Sequence, residues 1–290
     1  MQSFNYISGE EYKHVTKAHP CFSHTCHAKY ARIHIPVALR CNIQCNYCER
    51  GLNAYMKRPG FASKVLTPVE ALKAVEKAVK DHHELTVVGV AGPGDALANE
   101  DTFTALELIH AKYPGLLKCV ATNGLELPTN ANRLLDCGVK AVTVTVNAVD
   151  PFIASQIYEY TTFKSETCSG IKAAQTLISN QFKGIELSSR LGLCVKVNTV
   201  LIPKVNDWHV TEVAKTVAQR GAFIMNIIPL IPGHKFNHLT PPTYEEIKNA
   251  RKLCSKYIIQ FKDCKLCRAD ACGIPGLEVN FKDQMQCCSA

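Results

Sequence analysis

Six apolar stretches of strand length recur along this chain, each followed by a segment with helical spacing, and this alternation restricts the fold more than any other feature. The strands fall at 32–39, 85–91, 117–122, 139–147, 193–202 and 222–230. Helical spacing runs from Ala71 to Val79 behind the cap Thr67-Pro68-Val69-Glu70, and again over 102–113, 130–137, 168–180, 207–220 and 244–257. Strands separated by helices pair in parallel through right-handed crossovers. A complete barrel needs eight units of roughly 30 residues each, and too little chain remains after the sixth helix. The pattern predicts an α/β fold: a partial (β/α)6 TIM-like barrel over 31–260, with cysteine-rich extensions at 1–30 and 261–290.

The first strand, with Ile33, Ile35, Val37 and Leu39 in alternation, runs straight into Cys41-Asn42-Ile43-Gln44-Cys45-Asn46-Tyr47-Cys48. Barrels carry their chemistry at the carboxyl ends of the strands, which is where this loop falls. The CxxxCxxC spacing places three thiolates on one loop. A structural zinc site would ask for a fourth protein ligand, whereas three thiolates suit a [4Fe-4S] cluster that keeps one iron open to a small molecule. Zinc-bound or simply buried cysteines are the plainer reading of the same residues.

The chain holds 15 cysteines. Residues 1–17 lack the charge order and apolar run of a signal peptide, and no stretch of about 18 apolar residues suggests a membrane span. A cytosolic location follows as the expectation, and there thiols act as metal ligands rather than as a disulfide framework. The formal charge is +8, but Lys and Arg are dispersed without an aromatic-interleaved stripe, which argues against nucleic acid. Thiolate clusters and an anionic ligand can absorb part of that excess.

Soft ligands gather in two further places. His19-Pro20-Cys21-Phe22-Ser23-His24-Thr25-Cys26-His27 precedes the barrel, and Cys264-Lys265-Leu266-Cys267-Arg268-Ala269-Asp270-Ala271-Cys272 follows it. A CxxC pair puts two thiolates on one metal, with Cys272 in reach of the same loop; structural zinc completed from afar is the alternative. Arg268 and Asp270 either form an ion pair or are separately solvated. Cys119 lies within the third strand, as a small core residue or as a ligand. The strand ends carry Gly92-Pro93-Gly94-Asp95, Thr122-Asn123-Gly124 and Asn147, with Asn198 inside the fifth strand. Glycines admit a ligand close to the backbone, and strand-end amides can bond a ribose or an adenine edge.

Taken together these segments resemble the radical S-adenosylmethionine (SAM) enzymes and, among them, the NifB family of nitrogenase cofactor biosynthesis. The resemblance rests on His19-Pro20-Cys21, the run from Arg32 through Cys48, Arg58-Pro59-Gly60, Gly92-Pro93-Gly94-Asp95, Thr122-Asn123-Gly124, Asn147-Ala148-Val149-Asp150-Pro151, Val197-Asn198-Thr199-Val200-Leu201-Ile202-Pro203 and Cys267-Arg268-Ala269-Asp270-Ala271. It implies a short, stand-alone member with a barrel of the radical SAM type. It implies a [4Fe-4S] cluster on Cys41, Cys45 and Cys48, and SAM against Tyr47, Gly92, Pro93, Gly94, Asp95, Thr122, Asn123, Asn147 and Asn198. Two more [4Fe-4S] clusters would be substrates, fused with a SAM-derived carbide and a sulfur into an eight-iron precursor. By matching, Cys21 and Cys119 hold one, and Cys264 and Cys267 help hold the other. Many relatives carry a cysteine where this chain reads Asn53-Ala54-Tyr55, which leaves Cys26, His19 or His27 to complete the first site, with Cys272 near the second. The implied partners are an electron donor, an iron–sulfur cluster donor and a carrier that accepts the precursor. Two other functions fit the residues: a radical SAM enzyme acting on a peptide or metabolite, or a non-catalytic zinc or iron–sulfur module.

Overall fold

A computed structural model of the chain describes residues 10–277; the outer parts of both expected extensions, 1–9 and 278–290, lie outside the described residues. Six strands stand side by side in chain order: β1 (Ala31–His34), β2 (Leu85–Val90), β3 (Leu117–Thr122), β4 (Val139–Thr145), β5 (Cys194–Leu201) and β6 (Ile224–Pro229). All neighbouring pairs among them are parallel. Two-residue strands finish the edges, β7 (Ile259–Gln260) parallel to β6 and β8 (Cys272–Gly273) antiparallel to β1. Among the described residues β7 and β8 do not pair with each other, so the sheet is a partial barrel.

Among the described residues seven helices of seven residues or more cover or flank the sheet: α1 (Pro68–Asp81), α2 (Glu100–Lys112), α3 (Leu127–Asp136), α4 (Pro151–Ile157), α5 (Gly170–Arg190), α6 (Val210–Gln219) and α7 (Tyr244–Cys254). Helix α1 starts where Thr67 and Glu70 bond reciprocally to each other's backbone N–H, with Pro68 in the first turn. Its buried residues Ala71, Val75 and Ala78 recur at helical spacing. Thr243 and Glu246 open α7 in the same way. The main core includes Val88, Leu106, Leu134, Val142, Val195 and Val213. Ile33 and Ile35 belong to it too, which turns Arg32 and His34 toward the opposite face of the sheet.

The chain departs from its expected outline in several places, one of them the unforeseen helix α4. Regular pairing of the first strand ends at His34 rather than at 39; Ile35 N–H then donates to Gly89 O, and Ala38 forms a single bridge with Pro93. The helix expected over 168–180 runs from Gly170 to Arg190, because Leu177, Gln181, Gly184, Ile185 and Ser188 form a buried stripe whose polar members break the apolar period. A hairpin of Tyr158–Phe163 and Glu166–Ser169 precedes it. Lys164 and Ser165 turn that hairpin at φ 50° and 65°, a left-handed pair usually marked by Asn or Gly.

The N-terminal segment packs onto the amino ends of the strands. Tyr12, Val15 and Phe22 join Ala141, Cys194, Phe223, Ile224 and Phe261 in an apolar cluster of their own. No helix among the described residues is long and apolar enough to cross a membrane.

Candidate functional site

At the carboxyl ends of the strands, the Cys41–Cys48 loop is held on both sides. Residues Ile43–Cys45 pair antiparallel with Tyr158–Phe163, so the unforeseen hairpin is the scaffold of the loop. Gln44 Nε2 donates to Cys45 O at 2.9 Å and Cys48 O at 3.1 Å, and Asn46 Nδ2 donates to Gln156 O at 2.7 Å. The three cysteines then line one cavity of about 180 Å³ together with Pro93, Gly94, Asp95, Thr122 and Asn123. Burial, with Asp95 next, pushes the Cys41 thiol up to about 11, and burial followed by Cys48 and Cys41 pushes Cys45 well up. Unaided ionisation is therefore disfavoured at both, and a cationic metal centre is what would hold them as thiolates.

Gly94 meets that loop at close range: a Cβ there would lie 2.2 Å from Arg40 O, one residue before Cys41. Its N–H donates to Ala38 O at 2.6 Å, and Asp95 N–H donates to Arg40 O at 2.9 Å. The Asp95 carboxylate accepts from Thr122 Oγ1 at 3.0 Å, from Asn123 N at 2.5 Å and from Leu97 N at 2.9 Å. It thus joins the glycine segment to the end of β3. Asn123 Nδ2 donates to Asn42 Oδ1 at 2.7 Å and points toward Cys41 Sγ at 3.9 Å.

Asn147 sits beneath Tyr47, fully buried. Its Nδ2 donates to Tyr47 Oη at 2.9 Å, and its Oδ1 accepts from Val200 N at 2.9 Å, so the amide fixes Tyr47 from below. Asn198 Oδ1 accepts from Asn226 Nδ2 at 3.2 Å inside the barrel. Beside Cys48 lies a largely apolar pocket of about 130 Å³ between Tyr47, Arg58, Val200, Ile228 and Leu266.

A second set of thiols lies toward the amino ends of the strands, where Cys21, Cys119 and Cys264 all pack against the apolar cluster of Tyr12, Phe22 and Phe261. Burial, with Cys21 next, pushes Cys119 up to about 12. The structure adds a residue that the sequence reading missed, His34. A Cβ on Gly89 would lie 2.9 Å from Cys119 Sγ and 3.3 Å from His34 Cδ2, so the two side chains approach each other across a residue that must be small. His34 Nδ1 donates to Arg268 O at 2.9 Å, which leaves the lone pair on Nε2, the arrangement of a metal-binding histidine. Its signal was its alternation with Ile33 and Ile35 in β1.

The other candidates take supporting places. His19 Nδ1 accepts from Cys21 N at 3.1 Å, and burial holds its pKa well below the usual range. His27 Nδ1 donates to Pro20 O at 2.8 Å, and Cys26 Sγ donates to Thr16 O at 3.2 Å. Cys272 is buried in β8. Around Cys267, Arg32 Nη2 lies 2.9 Å from the sulfur. Arg268 and Asp270 form a buried ion pair, Nε to Oδ1 2.7 Å. Burial pushes Asp270 up, but Arg268 and the Ser63 N–H outweigh it and hold the carboxyl below its usual range.

Arg268 also donates to Asn53 O at 2.9 Å and to Met56 O, bracketing Ala54. Residue 54, where the family resemblance implies a cysteine in many relatives, is thereby tied to the segment that carries Cys267. Among the described residues no three Cys, His, Asp or Glu side chains converge on one point.

The radical SAM superfamily model matches residues 35–217. The FeMo cofactor biosynthesis protein NifB of Methanocaldococcus jannaschii is 47% identical over 266 residues, covering 91% of this chain and 88% of that protein. The protein of the same name from Chlorobaculum tepidum is 42% identical over 273 residues, 93% of this chain and 64% of its own. Among solved structures, Streptococcus suis SuiB bound to S-adenosylmethionine superposes with a TM-score of 0.59 at 12% identity, over 88% of this chain and 55% of that one. Methylornithine synthase (PylB) gives 0.53 at 13% identity, over 87% and 70%. At such identities these two structures speak for the fold alone.

Proposed function

Because this chain belongs to the radical SAM superfamily and, within it, to the NifB family of FeMo cofactor biosynthesis proteins, we propose that it fuses two [4Fe-4S] clusters, with a SAM-derived carbide and a sulfur, into an eight-iron cofactor precursor. Membership makes it a radical SAM enzyme of cofactor biosynthesis; the fusion reaction is the further step. The observation that carries it is the presence of separate thiol groups on one barrel. Cys41, Cys45 and Cys48 share a cavity at the carboxyl ends, while Cys21, Cys119 and Cys264 pack on one apolar cluster nearer the amino ends.

Cys41, Cys45 and Cys48 would hold the [4Fe-4S] cluster that binds SAM. When bound and reduced, the cluster would supply the electron that cleaves a carbon–sulfur bond of SAM, and SAM would also supply the methyl that serves as the carbon source. The protein's own residues orient and shield. The backbone of 92–94 is placed against the cysteine loop by Gly94, and Asp95 fixes Thr122 and Asn123 at the cavity wall. Asn147 immobilises Tyr47, and Val200, Ile228 and Leu266 offer an apolar surface beside Cys48. Cys21, Cys119 and His34 would hold one substrate cluster, and Cys267 with Cys264 would help hold the other. A cluster donor, an electron donor and a carrier for the precursor are the partners this chemistry requires.

The test is anaerobic reconstitution followed by incubation with dithionite and SAM. About twelve irons per chain, with both 5′-deoxyadenosine and S-adenosylhomocysteine formed, supports the reading. Retention of only about four irons, or 5′-deoxyadenosine with no S-adenosylhomocysteine, overturns it.

A further inference from the structure

Lys196 is buried inside the barrel at 5% exposure, in the middle of β5. Its Nζ donates to Cys21 O at 3.0 Å and stands 5.0 Å from the ring centre of Phe22 and 5.1 Å from that of Phe261. Among the described residues, none of its contacts is with a carboxylate. A buried ammonium is costly without an anion, and one carbonyl and two ring faces offset only part of that cost. Its charge favours the thiolate at Cys119 and at Cys194, against the stronger effect of burial, and it also disfavours protonation of His19. Phe22 and Phe261 also belong to the cluster on which Cys21, Cys119 and Cys264 pack, so the cation and the three sulfurs share one apolar compartment.

Resting on the reading that Cys21 and Cys119 hold a substrate cluster, we propose that Lys196 is its positioning residue: a fixed counter-cation that anchors the Cys21 backbone and would compensate the charge of an anionic iron–sulfur cluster held by these cysteines. The two aromatic walls keep water away from the ammonium, so its charge acts on the cluster at low dielectric. A reduced cluster carries one more negative charge than an oxidised one. A nearby fixed cation therefore raises the reduction potential, and its removal lowers it.

The test compares the reconstituted full chain with Lys196→Gln and Lys196→Arg, with circular dichroism to establish folding. The double variant Cys21→Ala/Cys119→Ala identifies which EPR signal belongs to this cluster. Glutamine keeps an N–H for Cys21 O and removes the charge; arginine restores the charge. In an EPR-monitored reductive titration the assigned signal should move to lower potential in Lys196→Gln, or disappear with one cluster's iron, and return in Lys196→Arg. An unmoved potential and unchanged iron in a folded Lys196→Gln overturns the proposal, as does a Lys196→Arg that behaves like Lys196→Gln. If the double cysteine variant loses neither iron nor signal, the cluster assignment fails first and takes the Lys196 proposal with it.

Discussion

Arg32 Nη2 stands 2.9 Å from Cys267 Sγ, while Nη1 donates to Gly273 O, so one buried guanidinium in β1 fastens the C-terminal segment to the edge it pairs with. Replacing it with methionine keeps much of the volume and removes both bonds. Arg32→Met should cost roughly 3 kcal/mol, the scale of losing bonds to a buried charged group. Urea denaturation measures the cost, and hydrogen exchange should show the protection lost first over residues 264–273.

Gly94 has no room for a side chain. In Gly94→Ala the Cβ would press on Arg40 O, and the displacement would pass directly to Cys41. A shift of about 1 Å at a reacting centre is worth on the order of a hundredfold in rate, so 5′-deoxyadenosine formation should fall by that much. Gly115→Ala, whose Cβ meets nothing within 4 Å, is the matched control and should keep wild-type rates.

Gly89→Ala addresses the other end of the barrel. The new methyl would push against Cys119 Sγ and His34, and the chain should lose about one cluster's iron, roughly four atoms, on reconstitution. SAM cleavage should persist, because the cysteine loop is held by other contacts. Full iron content in a folded Gly89→Ala would rule out a cluster between those two side chains.

Burial holds the Asp95 carboxyl up at about 6 from an ordinary 3.8, although its hydrogen bonds pull the other way. The folded chain thus binds this proton more tightly than the unfolded chain does. Its contribution to stability is full below pH 3.8 and is lost as pH rises to about 6. The loss across that window is about 3 kcal/mol. The stability difference between the metal-free wild type and Asp95→Asn, from urea curves, should shrink by that order over this range and stay flat above it.

Ala54→Cys offers a thiol where many relatives carry one. Arg268 holds both flanks of that position through Asn53 O and Met56 O, so the loop is already in place. The variant should retain iron longer than wild type against a chelator. Equal loss rates would show that residue 54 does not face the Cys267 site.

The barrel was legible because its strands are continuous apolar runs and its helices carry ordinary caps, as at Thr67 and Thr243. The three-cysteine loop was legible from spacing alone. The hairpin that supports the loop was not, because Lys164 and Ser165 adopt left-handed backbone without Asn or Gly to announce it. His34 was hidden for another reason. A histidine alternating with isoleucines looks like the solvent side of a strand until the sheet curls and that side becomes the interior. Asn147 was legible as a polar strand end, but only the fold could show that its amide is engaged by Tyr47 and Val200.

The edge strands β7 and β8 belong to one short piece of chain, and the residues between them, 261–271, carry Cys264, Cys267 and the Arg268–Asp270 pair. The gap that makes the barrel incomplete is therefore spanned by the same segment that bears Cys264 and Cys267. At that edge the wall is held by side chains in place of a strand ladder, Arg32 on Cys267 and Arg268 on the backbone of Asn53 and Met56, so its integrity depends on two guanidinium groups.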